Sequence, residues 1–113
     1  MAVTRAKDRG DTIVVLGSLD ADYYYTTDFP AHDHGVRVLK IQCIPTGPAD
    51  RFLLKNASSN GVPIMYCSSL NSFEAQYFNG ERLKIFYDVS DTNNVCTASA
   101  NAKIVIHLGG KDI

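Results

Sequence analysis

The residues with the clearest capacity for chemistry are histidines and aspartates at the end of the first third of the chain. His32, Asp33 and His34 are consecutive, and Asp28 lies four residues before His32. On a strand, His32 and His34 would share one face and could hold one metal ion together. Structural zinc needs a third and a fourth ligand, and the next histidine is His107. The pattern therefore favours surface histidines that titrate near neutral pH over a metal centre.

Three consecutive tyrosines, Tyr23, Tyr24 and Tyr25, form the second candidate site. Tyrosine rings bring large, rigid contact areas, which suits a stacking platform for sugars or a protein interface. A buried strand, in which one or two of the rings pack in the core, is an equal alternative. In an extended segment Tyr24 faces away from its two neighbours.

Aspartates are concentrated around these tyrosines. Asp20, Asp22, Asp28 and Asp33 lie in a stretch that contains neither Lys nor Arg. A calcium loop also needs a glycine turn between closely spaced oxygen ligands, which this stretch does not supply. We therefore predict a solvated acidic loop.

The cysteines predict structural rather than reactive roles. Cys43, Cys67 and Cys96 are odd in number and lack CxxC spacing, which argues against a disulfide framework or a zinc knuckle. Cys43 and Cys67 lie among apolar residues of predicted strands, where a free cysteine behaves as a small buried hydrophobe. We predict buried thiols for both, with a single bridge between them as the alternative. This usage agrees with intracellular synthesis.

No enzymatic signature is present in the sequence. The chain has no nucleophile elbow, no P-loop and no dinucleotide-binding glycine pattern. We therefore predict a non-enzymatic protein without catalytic, cofactor-binding or metal-binding residues.

Apolar residues recur with a period of two, which predicts strands. Asn79-Gly80 separates two alternating segments and predicts a hairpin, because both turn residues need positive φ. Residues 18–29 contain at most one helical turn. About seven short strands predict an all-β fold, a single antiparallel β-sandwich or small barrel of Ig-like or jelly-roll type. The predicted strands are 13–16, 36–44, 51–55, 62–67, 73–77, 81–87 and 102–108.

Length and composition indicate one domain. The 113 residues suffice for a single core, which we assign to residues 12–113, with residues 1–11 as a flexible N-terminal arm. The arm is polar and carries Arg5, Lys7 and Arg9. Residues 18–35 form a connection long enough to suggest a function.

Charge and hydropathy exclude several classes of partner. A net charge of −1 provides no broad positive field, which disfavours nucleic-acid binding. No apolar run approaches the roughly 18 residues of a membrane span, which disfavours a membrane location. Because the first ten residues contain no apolar core of a signal peptide, we expect no secretion signal.

The middle of the chain resembles small virion proteins of tailed bacteriophages. Residues 45–65 read PTGPADRFLLKNASSNGVPIM, and QYFNG at 76–80 precedes the strand around 83–87. This is similar to the family's layout of a strand with Asp and apolar residues, a Ser/Gly loop, a G-x-P-I strand and a Tyr-Phe hairpin. The resemblance covers residues 40–87 and implies a structural role, either a capsid decoration (cement) protein or a head or tail accessory.

The resemblance implies a location on the virion and a partnership with the major capsid protein or another virion protein. Self-association would raise the effective affinity of each copy for a shell, and a homotrimer would suit a three-fold site. We therefore expect the arm and residues 18–35 to contact the shell or neighbouring copies. The candidate interface residues are Arg5, Lys7, Arg9, Tyr23, Tyr24, Tyr25 and Phe29.

Two other functions compete with the virion hypothesis. A small carbohydrate- or ligand-binding β-module would use the Tyr23–Tyr25 segment and would need exposed rings in one plane. A metal-dependent enzyme of compact barrel type would use His32, His34 and His107.

Overall fold

The computed structural model of the chain describes residues 2–8, 11–17, 19, 21–45, 50–58, 61–68, 75–88 and 102–109. These residues form nine strands and one 3₁₀ turn, and the pairings between the strands are antiparallel. In chain order the elements are β1 (Ala2–Asp8), β2 (Asp11–Gly17), β3 (Tyr23–Tyr24), the 3₁₀ turn (Tyr25–Thr27), β4 (Val36–Ile44), β5 (Arg51–Asn56), β6 (Pro63–Ser68), β7 (Ala75–Leu83), β8 (Ile85–Tyr87) and β9 (Lys103–Leu108).

The strands form two sheets whose apolar faces share one core. The large sheet has five strands in the order β1-β2-β9-β4-β7, and the small sheet has four in the order β3-β8-β5-β6. The predicted all-β sandwich is confirmed, with nine strands in the described ranges rather than about seven. Residues from both sheets line one hydrophobic cluster, among them Val14, Leu16, Val38, Ile41, Leu54, Ile85, Tyr87, Ile104 and Ile106.

Strand β4 shows how period-two patterning builds this core. Val36 and Val38 are buried and Arg37 between them is exposed, as alternation across a sheet requires. The next buried residues are Ile41 and Cys43, because a register shift between residues 38 and 40 changes the phase of alternation. The outer face of the large sheet therefore carries the polar positions of β4.

Four predicted strands agree closely with the structure. The prediction of a strand at 36–44 is confirmed in full by β4. The predictions at 51–55, 62–67 and 102–108 are each confirmed, within one residue, by β5, β6 and β9. These segments are rich in apolar and β-branched side chains at alternate positions, which is what a half-buried strand requires.

The hairpin predicted at Asn79-Gly80 is wrong, because β7 runs through both residues. Tyr77 pairs with Lys40 and Glu81 pairs with Val38, so residues 78–80 of β7 lie opposite a single residue of β4. Gly80 has a φ of 80°, the positive value that the sequence requires, but it serves a bulge rather than a turn. The chain changes direction after Leu83 instead, where it leaves the large sheet and enters β8 of the small sheet.

The N-terminal segment differs from the predicted flexible arm. Residues 2–8 form β1, which pairs with β2 from Ala2↔Gly17 to Asp8↔Asp11. A polar sequence is compatible with an edge strand, because one side of such a strand remains open to solvent. The sandwich thus includes residues 2–8, and Arg9 lies outside the described residues.

The structure corrects the prediction of a buried free thiol at Cys43. Its side chain is buried as expected, but it is disulfide-bonded, and its Sγ lies 3.8 Å from Sδ of Met65 on the small sheet. The side chains of Cys67 and Cys96 lie outside the described residues, so a bridge between Cys43 and Cys67 stays a prediction.

Candidate functional site

The aromatic residues assigned to an interface lie mainly inside the protein. The exposed fractions of Tyr23, Tyr25 and Phe29 are 5%, 2% and 6%, and Tyr24 is half-buried. The Tyr24 and Tyr25 rings pack edge to face, with centroids 4.8 Å apart. This corrects the interface assignment: three of the four rings are core residues and are not available to a partner or a sugar.

Tyrosine hydroxyls bond residues of the long connection to one another and, at its beginning, to strand β8. Tyr23 donates a hydrogen bond of 2.6 Å to the carboxylate of Asp28. The backbone N–H of Gly35 donates to the Tyr25 hydroxyl over 3.1 Å. Tyr87, on β8, donates to the carbonyl of Leu19 over 2.9 Å. The connection is thus fixed near its beginning, middle and end, and these tyrosines have a positioning role.

Burial also changes the acidity of one of these hydroxyls. The pKa of Tyr25 is raised above its usual 10.0, primarily because burial disfavours the charged form, and the neighbouring Tyr24 contributes in the same direction. The hydrogen bond from Gly35 acts in the opposite direction and is outweighed. Tyr25 therefore stays neutral through the physiological range.

The histidine cluster does not adopt the strand geometry that would place its rings on one face. Asp33 and His34 lie in a turn, and their side chains are 82% and 89% exposed. Oδ1 of Asp33 lies 3.7 Å from Nε2 of His34. The His32 ring packs edge-on against Phe29, with centroids 6.2 Å apart. Among the residues that the structure describes, no three His, Cys, Asp or Glu side chains are grouped so as to hold a metal ion.

A groove that the sequence pattern does not predict lies between β6 and β7. These strands are edge strands of different sheets, and the space between them is about 340 Å³. Val62, which lines the groove just before β6, is 74% exposed. The only sequence signal for it is an apolar run next to Pro63, a residue typical of edge strands. The groove is lined by Asn56, Val62, Pro63, Ile64, Phe78, Glu81 and Leu83.

The outer face of the large sheet is basic along β4, β7 and β9. Arg37 on β4 lies opposite Arg82 on β7, and both are exposed. Lys40 follows on β4, with its Nζ 5.9 Å from the centre of the Tyr77 ring, and Lys103 is exposed at the start of β9. Sequence reasoning missed this face, because the cations are far apart in the chain and only the strand register brings them together.

Comparisons with protein-family models, with curated proteins and with solved structures found no match to this chain. Within the described ranges, no helix is long and apolar enough to cross a membrane.

Proposed function

We propose that the chain is a non-enzymatic structural protein of a tailed-bacteriophage virion, of the capsid decoration type. In this role it binds the major capsid protein or another virion protein and associates with further copies of itself. The resemblance of residues 40–87 to small virion proteins motivates the proposal, and the surface of the sandwich supports it.

The observation that carries the proposal is the apolar side of the sandwich between β6 and β7. Val62 is largely exposed there and lines the groove together with Ile64, Phe78 and Leu83. Exposed apolar patches on a soluble fold are typical of surfaces that a protein partner covers. Assembly on a shell would bury this side.

Open sheet edges support the same role. In the described strands, β1 and β7 end the large sheet, and β3 and β6 end the small one. An edge strand presents unpaired backbone groups, to which a neighbouring protein can add a strand. In this version of the proposal, β1 supplies the contact that the sequence assigned to a flexible arm.

The ligand-binding alternative loses the feature on which it depended. It needs the rings of Tyr23, Tyr24 and Tyr25 exposed in one plane, whereas Tyr23 and Tyr25 are at most 5% exposed. Sugar stacking on these rings would require the core to open. We therefore propose no second function.

Quantitative mass spectrometry of virus particles tests the proposal. We would purify particles of the phage that encodes the chain and measure the copies per particle for the wild type and for Val62→Asp. Tyr66→Asp is the matched control, because Tyr66 is 43% exposed and alternates with Met65, whose side chain is buried in the core.

The expected result is many wild-type copies per particle, a clear loss for Val62→Asp and full occupancy for Tyr66→Asp. Absence of the wild-type chain from purified particles would overturn the structural role. Equal occupancy of the wild type and Val62→Asp would overturn the assignment of the contact to the β6–β7 side.

A further inference from the structure

We propose that the groove between β6 and β7 binds an extended peptide segment of the protein partner, in which a lysine or arginine lies between two apolar residues. The inference rests on the proposed structural role, since it specifies the chemistry of the partner that covers this side of the sandwich. The groove is called the β6–β7 groove below.

One wall of the β6–β7 groove presents an acidic residue between two apolar ones. Phe78, Glu81 and Leu83 follow one another along β7, and all three line the groove. Glu81 lies opposite Val38, whose side chain is buried in the core, so Glu81 and Leu83 belong to the inner face of the large sheet. Phe78 packs against the same core on the other side of the bulge. A complementary segment therefore carries a basic residue flanked by apolar residues.

The carboxylate of Glu81 is available to such a basic residue. Glu81 is exposed, and among the residues that the structure describes it forms no hydrogen bond or ion pair. Arg82, its neighbour in β7, lies on the other face of the sheet and donates to the carbonyl of Gly35 over 3.1 Å. An ammonium or guanidinium group in the groove would meet the carboxylate beside apolar side chains, where partial exclusion of water strengthens the attraction.

The opposite wall of the groove is apolar. Val62 and Pro63 are exposed, and Ile64 is half-buried against the core. Covering these side chains favours binding through the hydrophobic effect. The apolar walls thus supply contact area, and Glu81 selects the charge of the segment that binds.

Hydrogen bonds fix the end of the groove before a ligand arrives. The N–H of Asn56 donates to the carbonyl of Val62 over 2.9 Å, and the N–H of Ala57 donates to the carbonyl of Lys84 over 2.7 Å. The N–H of Lys84 donates in turn to Oδ1 of Asn56 over 2.9 Å. At Gly61 a Cβ would overlap the carbonyl oxygen of Asn56, so the turn closes tightly there. A wall that is already ordered loses little conformational entropy on binding.

The strands that border the groove favour an extended peptide over a compact ligand. In the described topology β6 ends the small sheet and β7 ends the large one, so each presents unpaired backbone groups along one side. A peptide strand can pair with such an edge. Alternate residues of any strand are about 6.6 Å apart, so the side chains of the peptide repeat at the same spacing as Glu81 and Leu83 in β7.

Charge complementarity argues against an anionic occupant. A phosphate backbone or a fatty-acid carboxylate would be set against Glu81, and like charges in a contact are repulsive. The net charge of −1 adds no long-range attraction for a polyanion. A basic segment of a protein is the occupant that matches both the carboxylate and the apolar walls.

Fluorescence polarisation of the full chain with three labelled peptide pools tests the inference. Each pool is a capped heptapeptide with threonine at every odd position and a random choice of valine, isoleucine, leucine or phenylalanine at the second and sixth positions. The central residue is lysine in one pool, glutamine in another and glutamate in the third. The pools therefore differ only in the charge at the centre.

The protein variants change the charge of the groove without changing its apolar walls. Glu81→Gln removes the charge, and Glu81→Lys reverses it. Asp33→Lys is the matched control, because it changes the net charge as much as Glu81→Lys does but lies in the turn before β4, outside the residues that line the groove.

We expect the wild type to bind the lysine pool at least about tenfold more tightly than the glutamate pool, with the glutamine pool between them. Glu81→Gln should remove this preference, Glu81→Lys should reverse it, and Asp33→Lys should keep it. High salt should reduce the preference of the wild type, because salt screens exposed charges. Circular dichroism of every variant checks that the sandwich is intact.

Three results would overturn the inference. One is a wild type that binds none of the pools. Another is a preference for the lysine pool that Glu81→Lys leaves unchanged or that Asp33→Lys abolishes. The third is displacement of the lysine pool by n-butylammonium as effectively as by the unlabelled peptides, which would assign the groove to a small amine.

The proposed function fails separately from this inference. A chain that shows the expected peptide preference but is absent from particles would keep the specificity of the groove and remove the virion role. A chain that is present on particles but binds no peptide pool would do the reverse.

Discussion

Replacing Gly35 by alanine should strongly destabilise the sandwich. Gly35 begins the turn into β4 with a φ of 102°, in the region that residues with a Cβ rarely adopt. A Cβ at this position would lie 3.0 Å from the carbonyl oxygen of Leu83 and 3.2 Å from its nitrogen. Because Leu83 pairs with Val36 in the large sheet, its backbone has little room to yield.

The cost of Gly35→Ala follows from these two effects. A non-glycine residue in the left-handed region costs about 1–2 kcal/mol, and overpacking against a fixed neighbour costs about 1–3 kcal/mol. A shift of the turn would also disturb the bonds of Gly35 with the Tyr25 hydroxyl and with Arg82. We expect a loss of about 2–4 kcal/mol in the free energy of unfolding, a large part of a typical domain's stability.

Urea unfolding followed by tyrosine fluorescence measures this loss, because the chain has six tyrosines and no tryptophan. Gly109→Ala is the matched control: a Cβ there would meet Arg37 and Leu39 at 3.6 Å or more, which is ordinary contact. The control should be neutral or slightly stabilising, because it reduces the entropy of the unfolded chain. Equal midpoints for the two variants would refute the reasoning.

Three further predictions concern single groups. Because the Tyr25 pKa is raised above 10.0 in the folded state, the contribution of Tyr25 to stability should be fully present below pH 10 and be lost as the pH rises above it; urea midpoints should fall less over this range for Tyr25→Phe. Thr12→Val should raise the free energy of unfolding by up to about 1 kcal/mol in urea titration, because the buried Thr12 hydroxyl has no hydrogen-bond partner among the described residues. With Cys43 in a disulfide, a denatured, non-reduced chain should give one free thiol of its three cysteines in a thiol assay, and three would contradict the bridge.

Local patterning determined much of the framework. Alternating apolar residues predicted β4 and β9, and the prolines and glycine around residue 47 correctly separated β4 from β5. These predictions succeeded because a strand's two faces are set by the period of its own side chains, whatever its partners are.

Prediction from the local sequence failed where the same sequence pattern is compatible with two different local structures. Asn79-Gly80 indicates a positive φ, and Gly80 has one, but a hairpin turn and a bulge need it equally. The pairing of β7 with β4 decides between them. Likewise, a polar N-terminal segment is compatible with an arm or with an edge strand, and pairing with β2 makes it β1.

The candidate surfaces depended still more on the tertiary structure. The sequence by itself determined which side chains exist: three tyrosines, an acidic stretch, scattered cations and three cysteines. Only the packing and pairing of the strands placed Tyr23, Tyr25 and the disulfide-bonded Cys43 in the core and aligned Arg37 with Arg82. Burial and cross-strand register join residues that are remote in the chain, and a local pattern carries no information about such distances.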